Sequence, residues 1–347
     1  MAVSNPTPQR ELRGQRPQRP SPRVVNSAEH QAWLAGHLTP RDRWLVRMLY
    51  EHKVFTTHQI VDLAFPSQRA ASLRLMSLYR WGVVHRFQPH RDRGSHPLHY
   101  VLDTAGAALL AHEHGIDPHD LNYRRDREIG RAYSLQLAHT VGCNSVFTTL
   151  VRQTRQRGVG ELISWWSAAR CAHHWGDIVR PDGYGRWREA GRDVEWFIEW
   201  DFGTERLPRL GFKLAGYERL AEHTGIITPV LIWLPSTRRE AGARRILADA
   251  LRSLDHRERV PVATTATDLV RPEQALDANA ARWLPLQGKA TEGRLRLADL
   301  STRWPRSSTG TPDTTTSARD SIDLPDRAEM PPPTPTPPPL PAYRRRR

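Results

Sequence analysis

The segment Asp193-Val-Glu-Trp-Phe-Ile-Glu-Trp-Asp-Phe-Gly203 sets acids against apolar side chains with a period of two. Val194, Trp196, Ile198, Trp200 and Phe202 occupy one parity, while Asp193, Glu195, Glu199 and Asp201 occupy the other, with Phe197 the single exception. That period is the signature of a β-strand, whose side chains alternate between faces. Successive residues on one face lie ~6.6 Å apart, so Glu199 and Asp201 would present carboxylates within reach of one hydrated divalent cation. Such hard oxygen donors suit Mg²⁺ or Mn²⁺. The same pattern also describes any half-exposed strand.

The elements around this strand follow from the flanking sequence. Tyr133 to Arg157 reads as a long helix and Glu161 to Trp166 as a strand after Gly158-Val-Gly160. Arg180-Pro-Asp-Gly183 has turn chemistry, because Pro presets φ and Gly tolerates positive φ, and a loop of charges and glycines is expected after it. Arg206 to His223 has a helical stripe of Leu210, Leu214, Tyr217 and Ala221 with Lys213 beside it. Pro229 to Leu234 is a wholly apolar strand and Glu240 to Leu254 a further helix. The expected fold class is therefore α/β (α+β), a mixed sheet with acids on a central strand, over residues 130–300. Trp165 and Trp166 are expected in its core.

Upstream, residues 36–125 read as a winged helix-turn-helix. Thr39-Pro40 starts a helix to Glu51, Thr56 or Thr57 caps a second that Pro66 ends, and Ser67 opens a third reaching Trp81-Gly82. Val83 to Phe87 and Leu98 to Leu102 then read as two strands around a turn-rich loop. Arg69, Arg74, Arg80, Arg86, Arg91 and Arg93 oppose only Asp92 between residues 69 and 93, the charge that a DNA-facing helix and wing require. The whole chain agrees: 51 basic against 37 acidic residues leave +14, which favours a polyanionic partner. Lys occurs only at positions 53, 213 and 289, so Lys213 stands out among many arginines.

Two cysteines, Cys143 and Cys171, supply neither a disulfide framework nor a zinc quartet. The histidines show no spacing that pairs them with acids. No apolar run approaches the ~18–20 residues of a membrane span, and Met1 to Pro22 lacks the apolar stretch of a secretory signal, so a cytoplasmic protein with no membrane partner is expected. Residues 1–35 read as a disordered basic arm and 301–347 as a disordered Pro/Ser/Thr-rich tail carrying the run Met330 to Pro341.

Taken together, Leu38-Thr-Pro-Arg-Asp42, Arg180-Pro-Asp-Gly183, Phe197-Ile-Glu-Trp-Asp-Phe-Gly-Thr204 and Lys213-Leu-Ala-Gly-Tyr217 resemble the replication-relaxation family of actinobacterial plasmids and mobile elements. The order Pro181-Asp182, Glu199 and Lys213 is also similar to the PD-(D/E)xK restriction-endonuclease-like core. This resemblance implies a protein that binds double-stranded DNA in replication, relaxation or mobilisation of such an element, with relaxase or replication proteins as partners. It implies catalytic roles for Asp182, Glu199 and Lys213, and a Mg²⁺ or Mn²⁺ held by Asp182 and Glu199, to which Asp201, on the same strand face as Glu199, is expected to add a third carboxylate. In the nuclease core a lysine stands two residues after the second acid; here Asp201 stands there, and Lys213 would supply the charge from the following helix. Alternatives are an active Mg²⁺-dependent endonuclease, a nuclease-shaped binding domain, and a transcriptional regulator whose second domain senses or dimerises.

Overall fold

The computed structural model describes residues 9–12, 14–16, 26–90, 94–269, 276–287, 293–304 and 330–339. The chain divides into two compact units between Leu162 and Ile163, with residues 276–277 and 333–339 returning to the first unit.

The first unit contains α1 (Ala28–His37), α2 (Pro40–His52), β1 (Phe55–Thr56), α3 (Thr57–Ala64), α4 (Gln68–Arg80), β2 (Val84–Phe87), β3 (His99–Leu102), α5 (Thr104–Glu113), α6 (Arg125–Gly130) and α7 (Leu137–Arg157). Thr39 and Thr56 each form a capping box, with Asp42 and Gln59 reaching back to the cap N–H, so α2 and α3 start where their sequences demand. Ser67 caps α4 by accepting from Ala70 N–H. The strands β1-β3-β2 form an antiparallel sheet, with Val84 opposite Leu102 and Phe55 opposite Tyr100. Leu45, Met48, Leu49, Ile60, Leu63, Leu75 and Leu78 are buried, each on the inward stripe of its helix.

Three expectations are corrected in this unit. The division falls after α7 rather than near residues 125–130, because α7 packs with α3: Gln59 Nε2 donates to Val141 O (2.7 Å) and Arg155 Nη1 to Asp62 O (2.7 Å). The amino-terminal arm is structured in part. Gln15 bridges Pro89, Arg16 N–H donates to Gln88 O, and α1 begins at a Ser27 cap, so short polar segments gain order from partners that the sequence does not place beside them. The tail is likewise not wholly solvated, since Trp44 Nε1 donates to Thr334 O and Arg41 Nη2 to Pro338 O, both at 2.7 Å.

The second unit is built on a six-stranded sheet in the order β4 (Glu161–Ser167), β5 (Gly183–Glu189), β6 (Arg192–Trp200), β7 (Val230–Leu234), β8 (Val262–Ala266) and β9 (Leu284–Pro285). Its helices are α8 (Ala168–Trp175), α9 (Leu207–Thr224), α10 (Thr237–Arg252) and α11 (Leu300–Arg303). β5 and β6 are antiparallel, β6-β7-β8 parallel, and β8-β9 antiparallel. The charged stretch after Gly183, expected as a loop, is strand β5. Ala190 and Gly191 at φ 50° and 74° make the tight turn that folds it onto β6, and Arg186 and Arg188 lie opposite Glu195 and Asp193. Trp165 and Trp166 are buried as expected.

β6 is not half exposed: every residue from Val194 to Trp200 is buried. Parallel connections lay helices over the sheet, so the acidic parity is covered as well. Phe197 shows this, packing 5.4 Å from Tyr217 of α9, whereas on the opposite parity Trp200 stacks on Trp233 at 5.1 Å.

Candidate functional site

The acids of β6, and Asp201 just beyond it, lie on one parity, and each lies beside a cation, Arg186 being shared by Asp193 and Glu195. Asp193 is held by Arg186 and Arg188, whose hydrogen bonds pull its carboxyl down to about 2. Glu195 lies 3.7 Å from Arg186. Asp201 accepts from Arg239 Nε and Nη2 and from Gly203 N–H (2.8 Å), with Gly203 at φ 82° closing the turn. Arg239 comes from the first turn of α10, a residue that the sequence does not mark.

Glu199 is different. Lys213 Nζ donates to its Oε2 and the Tyr217 hydroxyl to its Oε1, both at 2.5 Å. Lys213 and Tyr217 are four residues apart on α9 and therefore share a face. Asp182 joins them from the turn before β5: its N–H donates to Ile198 O (3.1 Å) and its Oδ2 accepts from Trp200 N–H (2.8 Å), so its two backbone partners bracket residue 199. Close approach of α9 to the segment before this turn depends on Gly216, where an added Cβ would lie 3.2 Å from Ile178 O.

The electrostatics follow from burial. Glu199 is 2% exposed. Desolvation, with Asp182 adding repulsion, pushes its carboxyl up to about 7 against the pull of Lys213. Burial alone would lower Lys213, but Glu199 and Asp182 hold its ammonium above the usual range. Desolvation and Glu199 raise the Tyr217 phenol, which stays protonated and donates.

Asp182, Glu199 and Lys213 thus come together, whereas the expected metal set of Asp182, Glu199 and Asp201 does not. Among the described residues no three His, Cys, Asp or Glu side chains gather closely enough to hold a metal ion. Arg239 neutralises Asp201, so a metal at this place would have only Asp182 and Glu199 as donors. Another buried carboxylate, Glu240 of α10, also missed in the sequence, is engaged by Arg294 (2.6 Å) and Thr264 (2.7 Å).

The arginines expected to face DNA separate into two groups. Arg69 and Arg80 are exposed along α4, beside Leu73 at 64% exposure. Arg74 instead binds Asp42 through Nε (2.9 Å) and Nη2 and lies 4.9 Å from the Trp81 ring. Arg86 lies over the Tyr79 ring at 4.4 Å. Arg91 and Arg93 fall outside the described residues. No helix among the described residues is long and apolar enough to cross a membrane.

A helical unit with a small antiparallel sheet, followed by a mixed α/β unit with a buried carboxylate–ammonium cluster between β6 and α9, defines the class of this protein. The chain belongs to the replication-relaxation family, whose pattern matches residues 46–232, just over half its length. The match includes α4, Asp182, Glu199 and Lys213 and stops before Arg239. No curated protein and no solved structure matches the chain significantly.

Proposed function

We propose that the protein binds double-stranded DNA through its first unit, in the replication, relaxation or mobilisation of a plasmid-like element. The observation that carries this reading is the outward face of α4. It follows α3 after the short Phe65–Ser67 connection, precedes the β2–β3 hairpin in winged-helix order, and presents Arg69 and Arg80 to solvent without an ion pair among the described residues. With a formal charge of +14, that face would approach a phosphate backbone favourably. Fluorescence anisotropy on duplex DNA across a salt series tests it. Changing Arg69 and Arg80 together to Ala should weaken binding and flatten the salt slope by up to ~0.9 log unit for each phosphate that is no longer neutralised. An unchanged affinity and slope overturn the assignment.

The cluster of Asp182, Glu199 and Lys213 favours a second reading, a divalent-metal endonuclease. Asp182 and Glu199 would hold Mg²⁺ or Mn²⁺, which supplies Lewis-acid polarisation of a phosphoryl oxygen, and Lys213 would stabilise charge developing there. Supercoiled plasmid incubated with and without Mg²⁺ or Mn²⁺ should then be nicked only with metal, and not by Glu199→Gln. Binding without cleavage would leave the second unit a nuclease-shaped binding domain.

A further inference from the structure

Within the first unit, the proline-rich segment lies along α2. Trp44 Nε1 donates to Thr334 O and Arg41 Nη2 to Pro338 O, each at 2.7 Å, while Arg41 Nη1 is anchored on Ala64 O. Trp44 and Arg41 are only 5% and 7% exposed, and Pro333 and Pro335 are buried. The chemistry on the two sides is complementary. Proline lacks an N–H, so between residues 333 and 339 only Thr334 and Thr336 can donate from the main chain, and every residue offers a carbonyl. The segment bends at Pro335 and Thr336, where Thr334 Oγ1 donates to Thr336 O (3.4 Å), and with so few N–H groups its other carbonyls are left to partners outside it. The indole N–H of Trp44 and the guanidinium of Arg41 are donor-only groups, set one turn apart on a helix. Both accepting carbonyls precede a proline, at Thr334-Pro335 and Pro338-Pro339. An indole N–H and a guanidinium set against an acceptor-rich, proline-rich segment use the donor chemistry by which polyproline ligands are recognised.

We infer that the surface of α2 around Trp44 and Arg41 is a polyproline-recognition site, and that the chain's own Pro333–Pro338 stretch is its resident ligand in cis. Because ligand and recognition surface share one chain, the resident segment acts at a high effective concentration and excludes competitors. Freed of it, the surface accepts the same sequence from solution.

The test uses the full chain and a fluorescein-labelled peptide of residues 330–339. A variant carrying Pro333→Asp and Pro335→Asp places charges at buried positions and releases the segment. It should bind the peptide at least about tenfold more tightly than the unaltered chain does. Adding Trp44→Phe, which keeps a ring but removes the N–H, should weaken that binding about fivefold or more. A peptide bearing the same two Asp substitutions should not bind, a control that is independent of how the protein variants fold. The inference is overturned if the released variant fails to bind, if it binds no better than the unaltered chain, or if the Asp-substituted peptide binds equally well. It is also overturned if Trp44→Phe, shown by circular dichroism to be folded, leaves the affinity unchanged.

Discussion

Glu199 ties the polar site to the stability of its unit. Its folded-state carboxyl sits near 7, above the ordinary 4.5, so between those values the folded protein holds a proton that the unfolded chain has released. Its contribution to stability is therefore full below pH 4.5 and declines as pH rises through 7. Lys213→Met removes the compensating ammonium and extends that decline to higher pH. Thermal melts should show little loss for this variant at pH 5, where Glu199 is protonated. At pH 8, where a buried carboxylate is left uncompensated, the loss should be roughly 1–3 kcal/mol. Equal losses at both values would show that Lys213 acts through packing and not through charge.

Among the elements, α4 is held to α2 by an ion pair, and this changes what its arginines are for. Asp42, whose side chain is 2% exposed, accepts from both Thr39 and Arg74, so the start of α2 and the middle of α4 share a carboxylate. Arg74→Ala should lower stability by about 1–3 kcal/mol in denaturant unfolding, because it strands a buried acceptor. Arg69→Ala, on the open face of the same helix, should stay within ~0.5 kcal/mol. The β5–β6 hairpin offers the opposite case: Ala190 sits at φ 50°, a conformation that costs an L-residue roughly 1 kcal/mol, so Ala190→Gly should raise the melting temperature slightly. A lower melting temperature would mean that the entropy released by glycine outweighs the strain.

For the molecule as a whole, both ends contribute to the first unit. A chain of residues 31–304 lacks the hydrogen bonds of Gln9 and Gln15 to Ala138 and Ala132, the Ser27 cap with the first residues of α1, and the segment against Trp44. A helix cap alone is worth ~1 kcal/mol. Such a chain should remain folded but melt several degrees lower, as measured by calorimetry; an unchanged melt would show that these interactions add nothing.

Much of this was legible along the chain because it depends on local physics. Capping residues and apolar stripes located α2, α3 and α4; alternation located β6; and the isolated Lys213 and the Pro-Asp-Gly turn pointed to residues that do meet at Glu199. Alternation, however, reports only which face a side chain takes, not what covers that face. Tertiary packing brought Arg239 of α10 to Asp201, and Arg186 and Arg188 of β5 to Asp193 and Glu195, so a row of four carboxylates was divided among different cations and only Glu199 stayed with Asp182 and Lys213. It likewise turned a proline-rich stretch nearly 300 residues from Trp44 into a ligand of α2. Partners so distant in sequence leave no periodic trace, because their meeting is set by how the units fold and not by any local preference of the residues involved.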